Sequence, residues 1–465
     1  MQSHKAWRTW AVLGSVLACA GLALAQTGAP MDAQAGGRSA GSSAPAVGEV
    51  VFARGVGFAQ MPGQPPRTLG AGLGVQQGDR LTTAAGASAI VKLTDGTRMT
   101  LRPQSEMVVQ QVRYTPDAAD NGLLLELLRG GFRALTGLIT KGNDRTAMVK
   151  TPTATIGIRG TDFDARLCGA DCADEFKGAP EAPRPANLRA SAKAVTVKGD
   201  IAVVADNGAR RRIVYGSSVY PGDLLETAPG AQAVLAFRDE SRLTLGGSTR
   251  FKVDDFVFDQ ANPQEGRFLV SLLKGTVRAL TGLIGRAEAR HVSFKTPTAT
   301  IGIRGTGLDL SCVDEGCSFF TWLGSITVTP DGQSALQVLQ AGQGLFVSPN
   351  GIRPLDTLPL PDIERPDQVQ GDTAPLFSAT GVDEGTPGLY VFVRDGHIEL
   401  STPSGTLHLG RGELGLATDS GQVLRPLLLP LFMDLDPTPL PTHPNPLLGA
   451  VLGESGVRSG NQCRR

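Results

Sequence analysis

TPTATIGIRGT, the string at Thr151–Thr161, occurs again letter for letter at Thr296–Thr306. A second string, RALTGLI, precedes each copy, at Arg133–Ile139 and at Arg278–Ile284. Both pairs are offset by the same 145 positions, from 151 to 296 and from 133 to 278. This period is far longer than that of a solenoid, and each copy is long enough to hold its own hydrophobic core. The chain therefore contains a duplicated folding unit, which is more typical of binding or scaffolding proteins than of new enzymes.

The repeated string has the alternation of a β-strand. Ala154, Ile156 and Ile158 are apolar and are separated by Thr and Gly, and this period of two predicts one buried face. Gly157 and Gly160 indicate the close approach of another backbone or a β-bulge. We therefore expect each copy of the string to form a strand.

A hairpin is predicted upstream of each copy. Residues 91–93 and 99–101 alternate apolar and polar side chains, and Asp95-Gly96 lies between the two runs. In the second copy the turn is Asp239-Glu240, which has lost the glycine, so a different turn type is expected there.

Two short apolar runs, Leu123–Leu128 and Phe268–Leu273, are too short for stable helices, and we interpret them as buried strands. The predicted fold class is therefore all-β. We expect two homologous domains of β-sandwich or β-solenoid-like form in tandem.

Part of the unit recurs a third time. Gly324–Val328, followed by Ala341–Gly344, resembles Gly396–Leu400, followed by Leu409–Gly412, and we interpret the later pair as a partial β repeat. The organisation expected in chain order is a signal peptide at 1–25, a flexible leader at 26–47, a first β domain at 48–172, a linker at 173–193, a second β domain at 194–350, a Pro-rich linker at 351–385, the partial β repeat at 386–427 and a Pro-rich tail at 428–465.

The first 25 residues predict export. Lys5 and Arg8 form a short positive region, an apolar run covers 11–24, and small residues precede a cleavage site between Ala25 and Gln26. The expected location is the periplasm, the cell surface or the medium.

Cys19 supports an alternative interpretation of the same segment. Residues 16–19 resemble a bacterial lipoprotein box, in which Cys19 would be acylated. In either case no later apolar run reaches the roughly 18–20 residues of a membrane helix, so the mature chain is expected to have no transmembrane helix.

Composition excludes one class of partner. The chain has 44 basic and 44 acidic residues and no net charge, whereas a nucleic-acid-binding protein needs a basic face. Glycine is abundant, with 59 residues, and aromatic residues make up 5%.

The cysteines follow the two strings in matching places. Cys168 and Cys172 follow the first, and Cys312 and Cys317 follow the second. In an exported protein such pairs predict local disulfides, while free thiols and a metal site stay open as alternatives. No His or second Cys pair lies in register with either pair to complete a metal site. Cys463 is left over as an unpaired or intermolecular thiol.

Two interpretations exist for Arg159 and Arg304, which lie inside the repeated string. Each guanidinium could bind a carboxylate or phosphate of a partner. The alternative, which we favour, is an ion pair within the domain, with Asp79 or Asp164 in the first copy and the corresponding aspartates in the second.

No catalytic site is predicted. Asp162 and Asp164 would share one face of a strand and could do acid–base work or bind calcium, but Gly307 replaces Asp162 in the second copy, so we interpret them as surface charges. His397 and His408 could lie across from each other on exposed strands. We find no nucleophile motif, phosphate loop or dinucleotide fingerprint. We therefore expect no enzyme activity and no cofactor.

These features together resemble the FecR domain, the periplasmic module of bacterial FecR-type iron-sensing regulators. The likeness runs from Gly78-Asp79 through the first string and from Gly222-Asp223 through the second. The residues of the family motif are Thr151, Pro152, Gly157, Ile158, Arg159, Gly160 and Thr161 in the first copy and Thr296, Pro297, Gly302, Ile303, Arg304, Gly305 and Thr306 in the second.

The resemblance implies an all-β envelope domain that works by protein contact. FecR-type regulators also have a cytoplasmic helical segment that holds a sigma factor, and the ten or so residues before the apolar run are too few for one, so we do not expect sigma-factor control to carry over. The predicted function is binding of an envelope protein, in envelope sensing or signalling.

The alternative function is a structural protein associated with the cell wall or a polysaccharide. Its weakness is the scarcity of aromatic residues on which sugars would stack, with Tyr215, Tyr220 and Trp322 as the candidates.

Overall fold

The computed structural model describes residues 45–116, 118–141, 146–169, 171–175, 184–185, 190–205, 208, 210–333, 336–355, 363–369, 373–383, 385–434, 436 and 438–442. The predicted signal peptide with its cleavage site at Ala25 and Gln26, Cys19, Cys463 and nearly all of the leader lie outside these residues.

The first repeat is built from strands that are mostly four to nine residues long. They are β1 (Ala46–Arg54), β2 (Gly57–Gln60), β3 (Arg67–Thr68), β4 (Gly74–Gln76), β5 (Arg80–Thr83), β6 (Ser88–Leu93), β7 (Arg98–Leu101), β8 (Glu106–Arg113), β9 (Gly122–Arg129), β10 (Gly131–Leu135), β11 (Ala147–Lys150) and β12 (Thr155–Cys168). A two-residue strand, β13 (Arg184–Pro185), follows.

The second repeat follows the same plan. Its strands are β14 (Ala192–Lys198), β15 (Ile201–Val204), β16 (Arg210–Arg212), β17 (Ser218–Val219), β18 (Leu224–Thr227), β19 (Gln232–Phe237), β20 (Arg242–Leu245), β21 (Arg250–Val257), β22 (Arg267–Leu280), β23 (Val292–Lys295), β24 (Ala299–Val313), β25 (Gly316–Pro330), β26 (Gln337–Gln340), β27 (Gly344–Ser348) and β28 (Gly351–Leu355).

The C-terminal part adds β29 (Gly388–Thr402), β30 (Gly405–Leu409), β31 (Leu414–Thr418), β32 (Val423–Leu424) and β33 (Leu428–Leu429). The helices are single turns: α1 (Asp171–Asp174), α2 (Leu283–Ala287), α3 (Ala374–Phe377) and α4 (Leu431–Asp434), with 3₁₀ turns at Ile139–Lys141, Pro263–Glu265 and Ala289–His291. The fold is thus all-β, as predicted. Within the described ranges no helix has the length and apolarity to cross a membrane.

Each repeat forms its own sheet, and the second sheet repeats the strand order of the first, with the single strand β22 in the place of both β9 and β10. In the first, the order is β3-β2-β5-β8-β9-β11-β12-β10-β7-β6-β1-β4. Most neighbours are antiparallel, but β9 and β11 pair in parallel, and so do β22 and β23 at the corresponding place in the second repeat. The duplication in the sequence is therefore a duplication of topology.

The repeated strings form the strands that were expected. Ile156 and Ile158 are buried, and a register shift between Arg159 and Asp162 marks a bulge at Gly160. Gly160 has a φ of 53°, in the left-handed region where glycine is favoured. The second string has the same bulge, with a φ of 57° at Gly305.

The predicted hairpin joins β6 to β7, with Gly96 at a φ of 86°. In the second repeat Glu240 occupies the corresponding position and also has a positive φ, 69°. Both hairpins therefore have a left-handed residue at this position of the turn, although the second has glutamate in place of glycine.

The segment at 386–427, expected to be a partial third repeat, is the closing part of the first repeat. β29 pairs along β12, with Ile398 opposite Ile158. In the second repeat β25 pairs along β24 in the same way, with Ile326 opposite Ile303. The whole second repeat therefore lies, in sequence, between the two parts of the first.

Two expected linkers contain structure, and this corrects their boundaries. The linker at 173–193 overlaps β14, which begins at Ala192, because Lys193 is buried against a distant segment. The linker at 351–385 contains β28 and α3.

Part of the Pro-rich tail at 428–465 is buried. Phe432 and Met433 of α4 are buried in a small apolar cluster with Tyr390 and Cys172.

Each repeat has a separate hydrophobic core. In the second repeat, the rings of Phe237 and Phe268 lie 4.6 Å apart at its centre. The core of the first repeat includes Leu389, Ile398 and Leu400 from β29, all fully buried. Because burial of each such side chain contributes roughly 1.5–3 kcal/mol, the late segment is a main source of stability for the first repeat.

Candidate functional site

The two repeated strings contact each other in each domain. The backbone N–H of Thr161 donates to the hydroxyl of Thr136 over 2.8 Å, and that hydroxyl donates back to the Thr161 carbonyl over 3.1 Å. Thr306 and Thr281 repeat the arrangement, also with a 2.8 Å first bond. The hydroxyl thus satisfies the buried N–H beside the bulge, while the carbonyl of the same residue also accepts from the backbone N–H of Thr136 or Thr281. These threonines therefore hold the fold together.

The glycines that follow Thr136 and Thr281, Gly137 and Gly282, fit against the hairpin turns. The N–H of Gly282 donates to the hydroxyl of Ser241 over 2.7 Å, and a Cβ on Gly282 would lie 1.9 Å from the carbonyl oxygen of Asp239. In the first repeat, Gly137 donates to Thr97 over 2.9 Å. Packing thus explains why these threonines and glycines recur in both copies.

The recurrent aspartates bind arginines other than those in the motif. Arg67 forms a 2.6 Å hydrogen bond with Asp79, and Arg211 pairs with Asp223 at the corresponding position. The expected pairing of Arg159 with Asp79 is therefore wrong. The side chain of Arg304 lies outside what the structure describes.

Asp164 is buried rather than a surface charge. Arg394 of β29 donates to it over 2.6 Å, and Arg133 lies between it and Asp162. Burial raises the pKa of the Asp164 carboxyl, and the positive charges of Arg394 and Arg133 oppose that shift. In the second repeat Arg278 binds Asp309 through two hydrogen bonds of 2.8 Å and 3.0 Å. Both sites are ion pairs that join neighbouring strands.

A groove lies on the face of the first repeat where β11, β12 and β29 run side by side. Its volume is about 210 Å³. We name it the β12 groove, and its lining residues are Met148, Thr155, Gly157, Ile158, Arg159, Glu399 and Ser401. It brings an apolar side chain together with one positive and one negative group.

Sequence reasoning found one side of this groove and missed the other. Gly157, Ile158 and Arg159 belong to the predicted family motif, whereas Glu399 and Ser401 come from β29. The likeness of 396–400 to 324–328 was the available signal for this pairing, since 324–328 lies in β25, which pairs with the other copy of the string.

A buried ionic network joins the two repeats. The ammonium of Lys193 donates to a carboxylate oxygen of Glu413 and to the carbonyl of His408, each over 3.0 Å. Arg425 also donates to Glu413, over 3.2 Å. Burial lowers the pKa of Lys193 to about 8, and the nearby Glu413 limits that shift.

Two histidines lie beside this network, and the expectation that both are exposed is wrong. Nδ1 of His408 lies 3.3 Å from Nε2 of His397, which is buried. Burial lowers the pKa of His397 well below its ordinary value and that of His408 to about 4. Both rings are therefore neutral near pH 7.

The cysteines are joined as two local pairs. Cys168 is bonded to Cys172, which connects the end of β12 to α1, and Cys312 is bonded to Cys317 across the β24–β25 hairpin. Among the described residues, no three His, Cys, Asp or Glu side chains converge as metal ligands do.

The aromatic candidates for sugar stacking have other contacts. Tyr220 is buried between the repeats with Arg411 over its ring, 4.5 Å from the centroid. Tyr215 packs edge-on against His408, and Arg365 lies over Trp322.

The fold, the two matched strings and the shared topology define an all-β protein with two homologous domains. The model of the FecR protein family matches residues 79–174 and 223–326, so the chain contains two FecR-domain segments in tandem. Such domains and the two disulfides fit an extracytoplasmic location. No curated protein matches this chain.

Two crystal structures of a candidate anti-sigma factor from Parabacteroides distasonis are similar to part of the chain. Both are 16% identical, with a TM-score of 0.24. One, at 1.65 Å resolution, covers 31% of this chain and 62% of its own length, and the other, at 2.50 Å, covers 35% and 67%. The chain therefore spans less than two thirds of the first of these structures.

Proposed function

We propose that this chain is an exported, non-enzymatic protein that binds an envelope protein through the β12 groove, in envelope sensing or signalling. The observation that carries the proposal is the groove itself, in which Met148 of β11 and Glu399 of β29 lie on either side of Gly157, with Arg159 on the same strand as Gly157. A site of this composition recognises a protein segment with an apolar side chain flanked by charged ones.

The contacts of the other polar groups support binding rather than catalysis. Asp79, Asp164, Asp223 and Asp309 are held in ion pairs inside the fold, and Glu413 is held by Lys193. A catalytic carboxylate must be able to reach a substrate. We therefore propose no enzymatic activity and no cofactor. We also propose no nucleic-acid partner, because 44 basic and 44 acidic residues leave no net charge, and no transmembrane helix in the mature chain.

Export is part of the proposal. We propose that residues 1–25 are a signal peptide cut between Ala25 and Gln26, and that the mature protein works in the periplasm or at the cell surface. Mass determination of the mature N-terminus tests this, and a lipid-modified Cys19 would replace it with the lipoprotein alternative.

Binding can be tested with a substitution that fills the groove without straining the backbone. Gly157 does not have a positive φ, and a Cβ added there would lie 3.5 Å from the Cβ of Glu399, an ordinary contact. Gly157→Val therefore keeps the strand and occupies the groove. The matched control is Gly381→Val, which adds the same atoms where no heavy atom lies within 4 Å.

Both variants and the wild-type chain are used to capture proteins from a periplasmic extract, and the partner's dissociation constant is then measured. We expect Gly157→Val to weaken binding at least about tenfold and Gly381→Val to leave it unchanged. Equal binding by both would show that the groove is not the site. Saturable binding to a glycan array, with no protein partner, would favour the polysaccharide alternative.

A further inference from the structure

The contact between the two repeats involves a face that both repeats possess. In the first repeat Ile398 lies opposite Leu409 of β30, and in the second Ile326 lies opposite Leu339 of β26. Since Ile398 and Ile326 occupy the same place beside the two strings, His408 of β30 corresponds to Val338 of β26. The structure shifts the register of the sequence likeness by two residues and places Gln343 where the first repeat has Glu413, since the carbonyls of both accept from β25 or β29 in the same way.

In the first repeat this face is covered by the second repeat. The ring of His408 lies 5.1 Å from that of Tyr215. Gly410 fits so closely that an added Cβ would lie 2.3 Å from the hydroxyl of Ser218, and Glu413 is 1% exposed.

In the second repeat the corresponding face is open. Leu336 is 55% exposed and Val338 is 52% exposed, and Gln340 and Gln343 are exposed beside them. We name these four residues the β26 strip. Large apolar side chains grouped on one exposed face are typical of an interaction surface.

The complementary face is open on the first repeat. Lys193, Tyr215 and Gly216, which cover β30, correspond to Glu49, Ala71 and Gly72 at the 144-residue offset that relates Asp79 to Asp223. Lys193 and Gly216 are buried, whereas Glu49, Ala71 and Gly72 are exposed. The first and second repeats thus each leave exposed the surface that corresponds to one side of the contact between them.

We propose that the β26 strip binds the Glu49–Gly72 face of a second copy of this chain, so that copies associate head to tail. The contact continues the arrangement already present between the two repeats, with Val338 in the place of His408. Gln343 would face Glu49, and an amide can donate to a carboxylate where the internal contact has Lys193 and Glu413. Such a heterologous contact leaves one free half at each end and can extend. The proposal goes beyond the binding function above and stands without it.

Sedimentation velocity on the full mature chain, from about 1 to 100 µM, tests the association. We expect the mean mass to rise with concentration. Val338→Glu should shift the midpoint at least about tenfold, because it buries an unpaired charge. The control is Val313→Glu, since Val313 is 54% exposed on the β24–β25 hairpin, away from the strip. A chain that stays monomeric throughout, or a strip variant that behaves like its control, would overturn the proposal.

A charge exchange tests which surfaces meet. Gln343→Glu should weaken association by opposing Glu49, and Glu49→Lys added to it should restore association by recreating the Lys193–Glu413 pairing between molecules. Loss of association in the double variant would contradict the proposed register.

Mixing two blocked chains tests whether the contact is head to tail. Val338→Glu and Ala71→Glu should each be monomeric alone and should form dimers, and nothing larger, when they are mixed. An isologous dimer would give no such complementation.

Discussion

The ammonium of Lys193 and the carboxylate of Glu413 lie 3.0 Å apart, with side chains 0% and 1% exposed. Lys193 is in the first strand of the second repeat, and Glu413 precedes β31, which belongs to the first. A buried ion pair stabilises little in comparison with apolar packing, but the loss of one partner leaves a costly unpaired charge. Loss of either partner should therefore destabilise the contact between the two FecR domains.

Lys193→Met tests that role. The variant keeps an apolar stem but leaves Glu413 with Arg425 as its remaining cation, so we expect a loss of about 2–4 kcal/mol in the free energy of unfolding. Urea denaturation measures it. The control is Lys198→Met in the same strand, because Lys198 is 62% exposed and pairs with Glu364 at the surface. That change should cost under about 1 kcal/mol. Equal losses in both variants would remove the special role of Lys193.

Acid should weaken the contact between the repeats through the two histidines. Their pKa values are lowered in the folded protein, that of His408 to about 4 from 6.5, so the unfolded chain binds protons first as pH falls. The stability they contribute is complete above about pH 6.5 and is lost progressively towards pH 4, by up to about 1.4 kcal/mol per pH unit for each histidine.

The measurement is the free energy of unfolding between pH 8 and pH 4 for the wild type and for a His397→Asn, His408→Asn double variant. Asp164, Asp223 and Asp239, whose pKa values are raised by burial, act in the opposite sense and are present in both proteins. The double variant should therefore show a shallower loss below pH 6.5. Parallel curves would show that the histidines do not couple folding to pH.

The turn of the second repeat should tolerate glycine better than its own residue. Glu240 has a φ of 69°, which is unfavourable for a residue with a Cβ, and its pairing with Arg286 is exposed on both sides. We expect Glu240→Gly to raise the free energy of unfolding by about 0.5–1 kcal/mol. The reciprocal change, Gly96→Glu at a φ of 86° in the first repeat, should lower it by about 1 kcal/mol. Thermal or urea unfolding of the two variants checks both signs, and a destabilised Glu240→Gly would contradict the strain at this turn.

The local features of the fold could be predicted from the sequence because they depend on neighbouring residues. The alternation around Ile156 and the glycine at Gly160 predicted a strand and a bulge, and both are present. The partners of these elements lie far along the chain. Nothing near Asp79 shows that Arg67 binds it, although the same pair recurs as Arg211 and Asp223.

The candidate site was half predictable for the same reason. The motif supplied one side of the β12 groove, but Glu399 reaches it only because β29 returns to β12 after the entire second repeat. Local patterns do not specify such a long-range pairing. The likeness of the segment at Ile398 to that at Ile326 contained the information, since Ile326 pairs with the other copy of the string.

Removal of the late segment should unfold one FecR domain and leave the other. A chain ending after Thr380 lacks β29 to β32, which contribute Leu389, Val393 and Ile398 to the core of the first repeat. The second repeat keeps β25 to β28 and its whole core. We therefore expect the amides of β12 to lose hydrogen-exchange protection while those of β24 keep it.

Hydrogen exchange followed by mass spectrometry distinguishes the two strands, because each gives its own peptides despite the shared string. The control is a chain ending after Thr442, which keeps every strand from β29 to β33 and should protect β12 as the full chain does. If β12 were equally protected in both truncated chains, the first repeat would fold from residues 46–168 alone. Because burial of the three core residues from β29 contributes several kcal/mol, comparable with the whole stability of a domain, we expect loss of protection instead.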